Sequence, residues 1–164
     1  MEMIANYQIV NDNELSELLE ISDTDRCLQF IEELQGRDML LLGIGRMWDA
    51  LHFIICGVSA SDPIEGYPLS EAIVGEDVVC EEYFISYTSK ERMYKIVRAL
   101  ENVDFEKVLS DFDLDSCKKN NIYPRDWEID KDVVLAELRE GFANMTRFYR
   151  LVYEKRKNVV ISIY

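Results

Sequence analysis

The stretch GRMWDALHFIICG, residues 45–57, holds the chain's single histidine, His52, three positions after Asp49. A carboxylate that orients an imidazole is the arrangement of a general base, and side chains three apart on a helix are neighbours. On a helix beginning near Arg46, however, Trp48, Leu51, His52 and Ile55 share one apolar stripe, which puts His52 on or beside the core face. Two readings follow. In one, Asp49 orients His52 as a base over a cleft closed by the 58–67 loop. In the other, Asp49 supports the helix start, where free backbone donors and the dipole favour an acid, and His52 packs against Trp48 while donating a ring N–H to a carbonyl.

Three further residues bear on this choice. Glu71, in YPLSEAIVG, is either a second carboxylate facing His52 or a first-turn acid. Ser70 has no histidine but His52 to activate it, and its first-turn position favours local hydrogen bonding. Trp127, in the aromatic turn NIYPRDWE, either plugs the apolar layer beneath it or lines a cleft. Catalysis, if present, falls to His52 and Asp49, and the candidate pocket wall is Trp48, Asp49, His52, Glu71 and Trp127. His52 and Cys56 stand four apart without a second histidine or a paired cysteine, so neither a metal nor another cofactor is expected. No nucleophile elbow, phosphate-binding glycine loop or H-E-x-x-H pair occurs.

The elements that must position these residues alternate between strand and helix patterns. MIANYQIV (3–10) has strand composition, and a helix follows it with Asn11 or Asp12 as N-cap. TDRCLQFIEEL carries Cys27, Phe30, Ile31 and Leu34 at helical spacing and ends at Gly36. MLLLGIG (39–45) reads as a buried strand entering the Trp48 helix, and residues 58–67 read as a loop. Pro68 opens a short helix closed by Gly75. Residues 81–88 read as a strand, with Ser89 capping the helix after it, and short helices are expected at 104–111 and 114–120. From Asp132 to Lys155 the residues Val134, Leu138, Phe142, Met145, Tyr149 and Val152 form one continuous face, with Gly141 marking a close contact. VVISIY closes the chain as a strand that should share a sheet with residues 3–10. The expected architecture is α+β: one compact domain over residues 1–164, a small mixed sheet, several helices and a long C-terminal helix.

Charge limits the partners. Residues 1–82 carry eighteen acids against Arg26, Arg37 and Arg46, a net −15, while residues 83–164 carry fifteen bases against fourteen acids, a net +1. Such a field repels nucleic acid and anionic membranes and draws cationic proteins; it also serves solubility. The basic residues between Arg139 and Lys157 fall largely off the apolar face of the long helix and should be solvated. Scattered Cys27, Cys56, Cys80 and Cys117, together with a start unlike a signal peptide, point to a reduced, cytoplasmic protein.

MEMIANY, MWDALHFIICG, YPLSEAIVG and NIYPRDWE, in this order and spacing, resemble the YfbM-like family of small bacterial proteins of unknown function, nearly end to end. That resemblance implies a compact α+β domain and supplies no reaction. The chain departs from the family pattern at Glu2 and Ala5, where glycines are usual, and at Gly45–Arg46, where the pattern D-K-x-W-D has an aspartate and a lysine. Two functions stay open: an interaction protein with an acidic surface, in its sharpest form an immunity-type neutraliser of a basic toxin or nuclease, and a small enzyme or ligand-binding domain centred on His52 and Asp49.

Overall fold

Burial at nearly every position of the central strands places the sheet in the middle of the molecule. A computed structural model describes residues 2–37 and 41–164. Strands β1 (Ala5–Val10), β2 (Leu41–Gly45), β3 (Asp77–Cys80), β4 (Ile85–Thr88) and β5 (Asn158–Ile163) lie in the order β2-β1-β5-β4-β3. Each pairing is antiparallel, so the sheet expected as mixed is antiparallel among the described residues. Tyr7, Ile9, Val159, Ile161 and Ile163 face one way, while Val10, Ile85 and Val160 face the other, the period of two that a pleated strand imposes. Both faces are therefore covered by helices.

One face is covered by α1 (Asp12–Glu20) and α2 (Thr24–Gln35). Asn11 caps α1 in a reciprocal box with Glu14, and Asp23 caps α2. Leu15, Leu18, Cys27, Phe30, Ile31 and Leu34 bury against this side of the sheet. Gly36 ends α2 as the composition suggests, but in the right-handed region.

The larger core lies on the opposite face. It is built from α3 (Trp48–Cys56), α4 (Pro68–Val74), α5 (Met93–Glu101), α6 (Phe105–Ser110), α7 (Leu114–Lys119) and α8 (Lys131–Lys155). Buried Val134, Leu138, Phe142, Met145, Tyr149 and Val152 form the continuous face of α8, 25 residues long. The chain ends meet as expected: β1 pairs with β5 over six residues, from Ala5↔Ile163 to Val10↔Asn158.

Three further expectations are corrected. The strand placed at 81–88 is confined to β4, because residues 81–84 turn, and the preceding DVVC forms β3 instead. Ser89 stands at the N-cap position of a short 3-10 turn over Lys90–Arg92 that leads into α5, but its side chain makes no cap bond, its hydroxyl donating instead to Glu76 at 2.8 Å. Gly141 marks no close contact, since a Cβ there would meet Ile44 at an ordinary 4.0 Å. Residues 39 and 40 of the strand expected at 39–45 lie outside the described residues.

Gly75 is a glycine by necessity. Its φ of +89° suits no other residue well, and a Cβ would lie 2.6 Å from the Ser86 hydroxyl. This turn lets α4 pass directly into β3. The buried carbonyls left without a helical partner at the end of α4 are satisfied by two buried tyrosines: Tyr149 donates to Ala72 at 2.6 Å and Tyr7 to Ile73 at 2.8 Å. Burial pushes the phenol pKa of both tyrosines upward, so both stay protonated donors.

Candidate functional site

Trp48, Asp49 and His52 stand in the first half of α3, whose apolar stripe turns inward against α4 and the 58–67 loop. Gly57, in the left-handed conformation at φ 83°, ends α3 and reverses the chain so that this loop returns over the helix. Trp48 is 8% exposed; its ring stacks on Tyr123 at 5.3 Å and its indole N–H donates to the Met3 carbonyl at 3.2 Å. Leu51 is buried, and Ile55 is half-buried at the edge of the same core.

Asp49 is 3% exposed, and its carboxylate leaves its own helix. One oxygen accepts from the Ala60 N–H at 2.7 Å and from the Ser59 hydroxyl at 2.9 Å; the other accepts from the Tyr123 N–H at 2.8 Å. Three donors from two separate loops thus meet one buried charge. Asp49 does lie in the first turn of α3, as expected, but its carboxylate bonds to the loops instead of the helix start, fastening the 58–67 loop and the Tyr123 turn to α3. Charge-assisted hydrogen bonds of this kind are about twice as strong as neutral ones.

His52 is fully buried, and both ring nitrogens are engaged. Nδ1 lies 2.7 Å from the Val58 carbonyl, which can only accept, so Nδ1 carries the proton. Nε2 then accepts from the Ser70 hydroxyl at 2.8 Å, and Ser70 Oγ in turn accepts from the Ile64 N–H at 3.0 Å. Burial lowers the His52 pKa below its ordinary value, against the opposing pull of the Val58 hydrogen bond and the Asp49 charge. The ring is therefore neutral at pH 7. A hydroxyl donating to an imidazole is the relationship that activates a nucleophile. Here the hydroxyl is 1% exposed, and a neutral carbonyl stands where a carboxylate would orient the base. As built, the chain of bonds ties α3, the loop and α4 together.

Glu71 does not face His52. It is 3% exposed and grips Arg92 with both oxygens, at 2.8 Å to Nε and 2.5 Å to Nη2. Paired with this carboxylate, the guanidinium pKa rises. The pair is buried on the Glu71 side and reaches the surface through Arg92, next to a cleft of about 140 Å³ that Glu71 borders. Trp127, 2% exposed, donates its indole N–H to the Ile122 carbonyl at 3.0 Å and closes the aromatic turn on itself. Cys56, which shares a helix face with His52, has its thiol pushed up to about 12 by burial.

Helix α3, the 58–67 loop, Ser70 of α4 and the Tyr123 turn meet in one polar network, whereas Glu71 and Trp127 make their bonds elsewhere. Sequence reasoning missed Ser59, Arg92, Tyr7 and Tyr149. Arg92 carried no signal, because it is one of many basic residues until the fold sets it against Glu71. The tyrosines were legible only as apolar positions in a strand and a helix.

These features define an α+β domain, an antiparallel sheet between two helical layers, with a sealed polar network joining one helix to its loops. The chain belongs to the family described as a domain of unknown function, DUF1877, whose model matches residues 1–162. It is similar to Protein YfbM of Escherichia coli (strain K12), with 28% identity over 126 residues, 76% of this chain and 74% of that protein. The crystal structure of YfbM from Escherichia coli, described as a protein of unknown function, superposes with a TM-score of 0.81 at 22% identity, covering 98% of this chain and 99% of that one. The shared fold is thereby shown, and with it the α+β class read from the sequence. Among the described residues no helix is long and apolar enough to cross a membrane.

Proposed function

We propose that this domain is an interaction protein that presents its acidic surface to a cationic protein partner in the cytoplasm. One observation carries the reading: among the described residues, the basic side chains of α8 form no ion pair with an acid of the first half. Arg139 pairs with Glu106 at 2.9 Å and Arg150 with Glu101 at 3.2 Å, both within the second half of the chain. Among the described residues, Lys90 with Asp12 and Arg92 with Glu71 are the ion pairs that reach from the second half to acids of the first. Helices α1 and α2 also frame a shallow groove of about 220 Å³, lined by Glu14, Glu17, Glu33 and Arg37 over Phe30 and Leu34. Unmatched charge of one sign steers oppositely charged proteins, and the steering fades as salt shortens the screening length to roughly 8–10 Å.

The test is capture of partners from cell extract at low and moderate salt, with the native chain and with a form whose Glu17, Glu20, Asp25 and Glu32 are changed to amides. The reading expects salt-sensitive partners that the amide form loses. Identical partners for both forms at both salt levels would sink it. Immunity-type neutralisation of a basic toxin or nuclease is the narrowest form of the proposal, and a neighbouring gene encoding such a toxin is its direct check.

A second reading, a small enzyme or ligand-binding domain at His52 and Asp49, draws on the 2.8 Å contact between the Ser70 hydroxyl and a neutral His52. Covalent labelling of Ser70 by an acylating or phosphonylating reagent would support it; a native chain inert to such reagents counts against it.

A further inference from the structure

Three features come together at the β3 margin of the sheet. First, β3 is an edge strand, paired with β4 on one side. Asp77 and Val78 pair in regular register before the shift between Val78 and Cys80, and Val78 is 50% exposed. An edge of this kind offers unpaired backbone groups to another chain. Second, the cleft of about 140 Å³ runs alongside it, and its apolar lining is Ile64, Val74, Val78 and Phe84, of which Ile64 and Val78 are exposed. That volume suits one aliphatic side chain or the stem of a lysine. Third, the lining residues that carry charge are Glu65, Glu71, Glu76 and Asp77, all acidic. The nearby cation, Arg92, is held by Glu71.

We propose that the β3 edge and its cleft form a docking site for an extended basic segment of a partner protein, which adds as a strand beside Glu76–Val78 and seats a lysine or arginine stem in the cleft. The proposal rests on the acidic-surface reading above and names the surface and the partner's chemistry. Strand addition takes affinity from backbone bonds and specificity from alternate side chains in pockets. A basic residue matches both parts of this cleft, its stem against Val74 and Phe84 and its charge against Glu65 and Asp77. A second copy of the chain fits badly, because pairing β3 with β3 would crowd the acids at both ends of the strand, Glu76, Asp77, Glu81 and Glu82, against those of the other copy. The same acids that guard the edge against self-association select a cationic strand.

The probe is a fluorescein-labelled peptide alternating valine and lysine, titrated by anisotropy at low and high salt, beside a version with glutamate for lysine. Amide exchange of Asp77–Cys80 is followed with and without the peptide. The lysine peptide should bind more weakly at high salt, the glutamate peptide should not bind, and the β3 amides should gain protection. Val78→Lys and Asp77→Lys, each checked by thermal melting to be folded, should weaken binding at least about tenfold. Glu17→Gln with Glu33→Gln should leave it within about twofold. If the α1–α2 changes abolish binding and the β3 changes do not, the edge assignment is overturned while the acidic-surface reading stands. If the lysine peptide does not bind at all, the edge assignment again falls, and polylysine titrated in parallel decides whether the acidic surface falls with it.

Discussion

The interior around Asp49 and the surface of α1 and α2 use the same residue types to opposite ends. Inside, each carboxylate is met by donors: Asp49 by three, Glu71 by two nitrogens of one guanidinium. Outside, some acids of α1 and α2 support helix starts or form exposed pairs such as Arg26 with Glu33, others are simply solvated, and the half of the chain they belong to keeps its excess negative charge. A buried charge costs much free energy unless it is fully bonded, so the inner carboxylates act on stability. An exposed charge is solvated and worth little to the fold, so the outer ones are free to act on partners. The comparison therefore predicts which acids matter to folding and which to association.

The largest effect should come from Asp49→Ala. It removes the acceptor for Ala60, Ser59 and Tyr123 at once and leaves two backbone N–H groups facing a buried void. Each unsatisfied group costs about 1–3 kcal/mol, so a loss of about 3–5 kcal/mol is expected by denaturant unfolding. The helix-start role read from the sequence would cost only about 0.5–1 kcal/mol, so the measured value separates the two roles of Asp49. A loss under about 1 kcal/mol would erase the contrast between inside and outside.

The second effect depends on pH. Burial lowers the pKa of His52 in the folded state, so the folded protein binds its proton less readily than the unfolded chain does. Stability from this residue is complete above the unfolded value near 6.5 and is lost as pH falls below it toward the lower folded value. Melting temperature should drop between neutral pH and pH 5 in the native chain, and the part of that drop due to His52 should vanish in His52→Gln. Carboxylates titrate in both proteins, so the difference between the two curves is the quantity to read. Parallel curves would mean that His52 is not sealed.

The contrast between inside and outside also explains what the sequence made legible. Helices α1, α2 and α8 and the pairing of the two chain ends could be read, because their apolar spacing answers to one local period. The α3 stripe placed Trp48, Leu51 and His52 inward for the same reason. What escaped were partnerships. Asp49 finds Tyr123 at a separation of 74 residues, Glu71 finds Arg92, and Tyr149 finds Ala72 across 77. No local pattern encodes such pairs, since each depends on where the whole chain has gone. Strand β3 escaped because DVVC is short and sits on an edge, where an exposed Val78 breaks the alternation expected of a buried strand.

A third, smaller effect sharpens the boundary on α8. Gly141 has room for a Cβ and a helical neighbourhood, so Gly141→Ala should stabilise the domain by about 0.4–1 kcal/mol, chiefly by restricting the unfolded chain. A rise of a few degrees in melting temperature is the expected reading for a chain of this size. A fall would show that the groove lined by Ile44 and Gly141 is tighter than its 4.0 Å approach implies.

The smallest stability change belongs to the acids that the comparison assigns to partners. Changing Glu17, Glu20, Asp25 and Glu32 to amides removes four charges from α1 and α2. None of the four caps a helix, and the one side-chain bond described for the set is the 3.3 Å contact from Tyr83 to Asp25. Surface changes away from caps and buried groups usually stay within about 0.5 kcal/mol of native stability. Relief of repulsion among the neighbouring acids of a chain at net −14 pushes toward slight stabilisation, above all at low salt. The expected result is thus an unchanged or slightly raised melting temperature together with slower association with a basic protein, the rate difference closing as salt is added. The two readouts must separate for the comparison to hold. A marked loss of stability would place these acids in the same structural class as Asp49, and an unchanged association rate would leave them with solubility as their whole role.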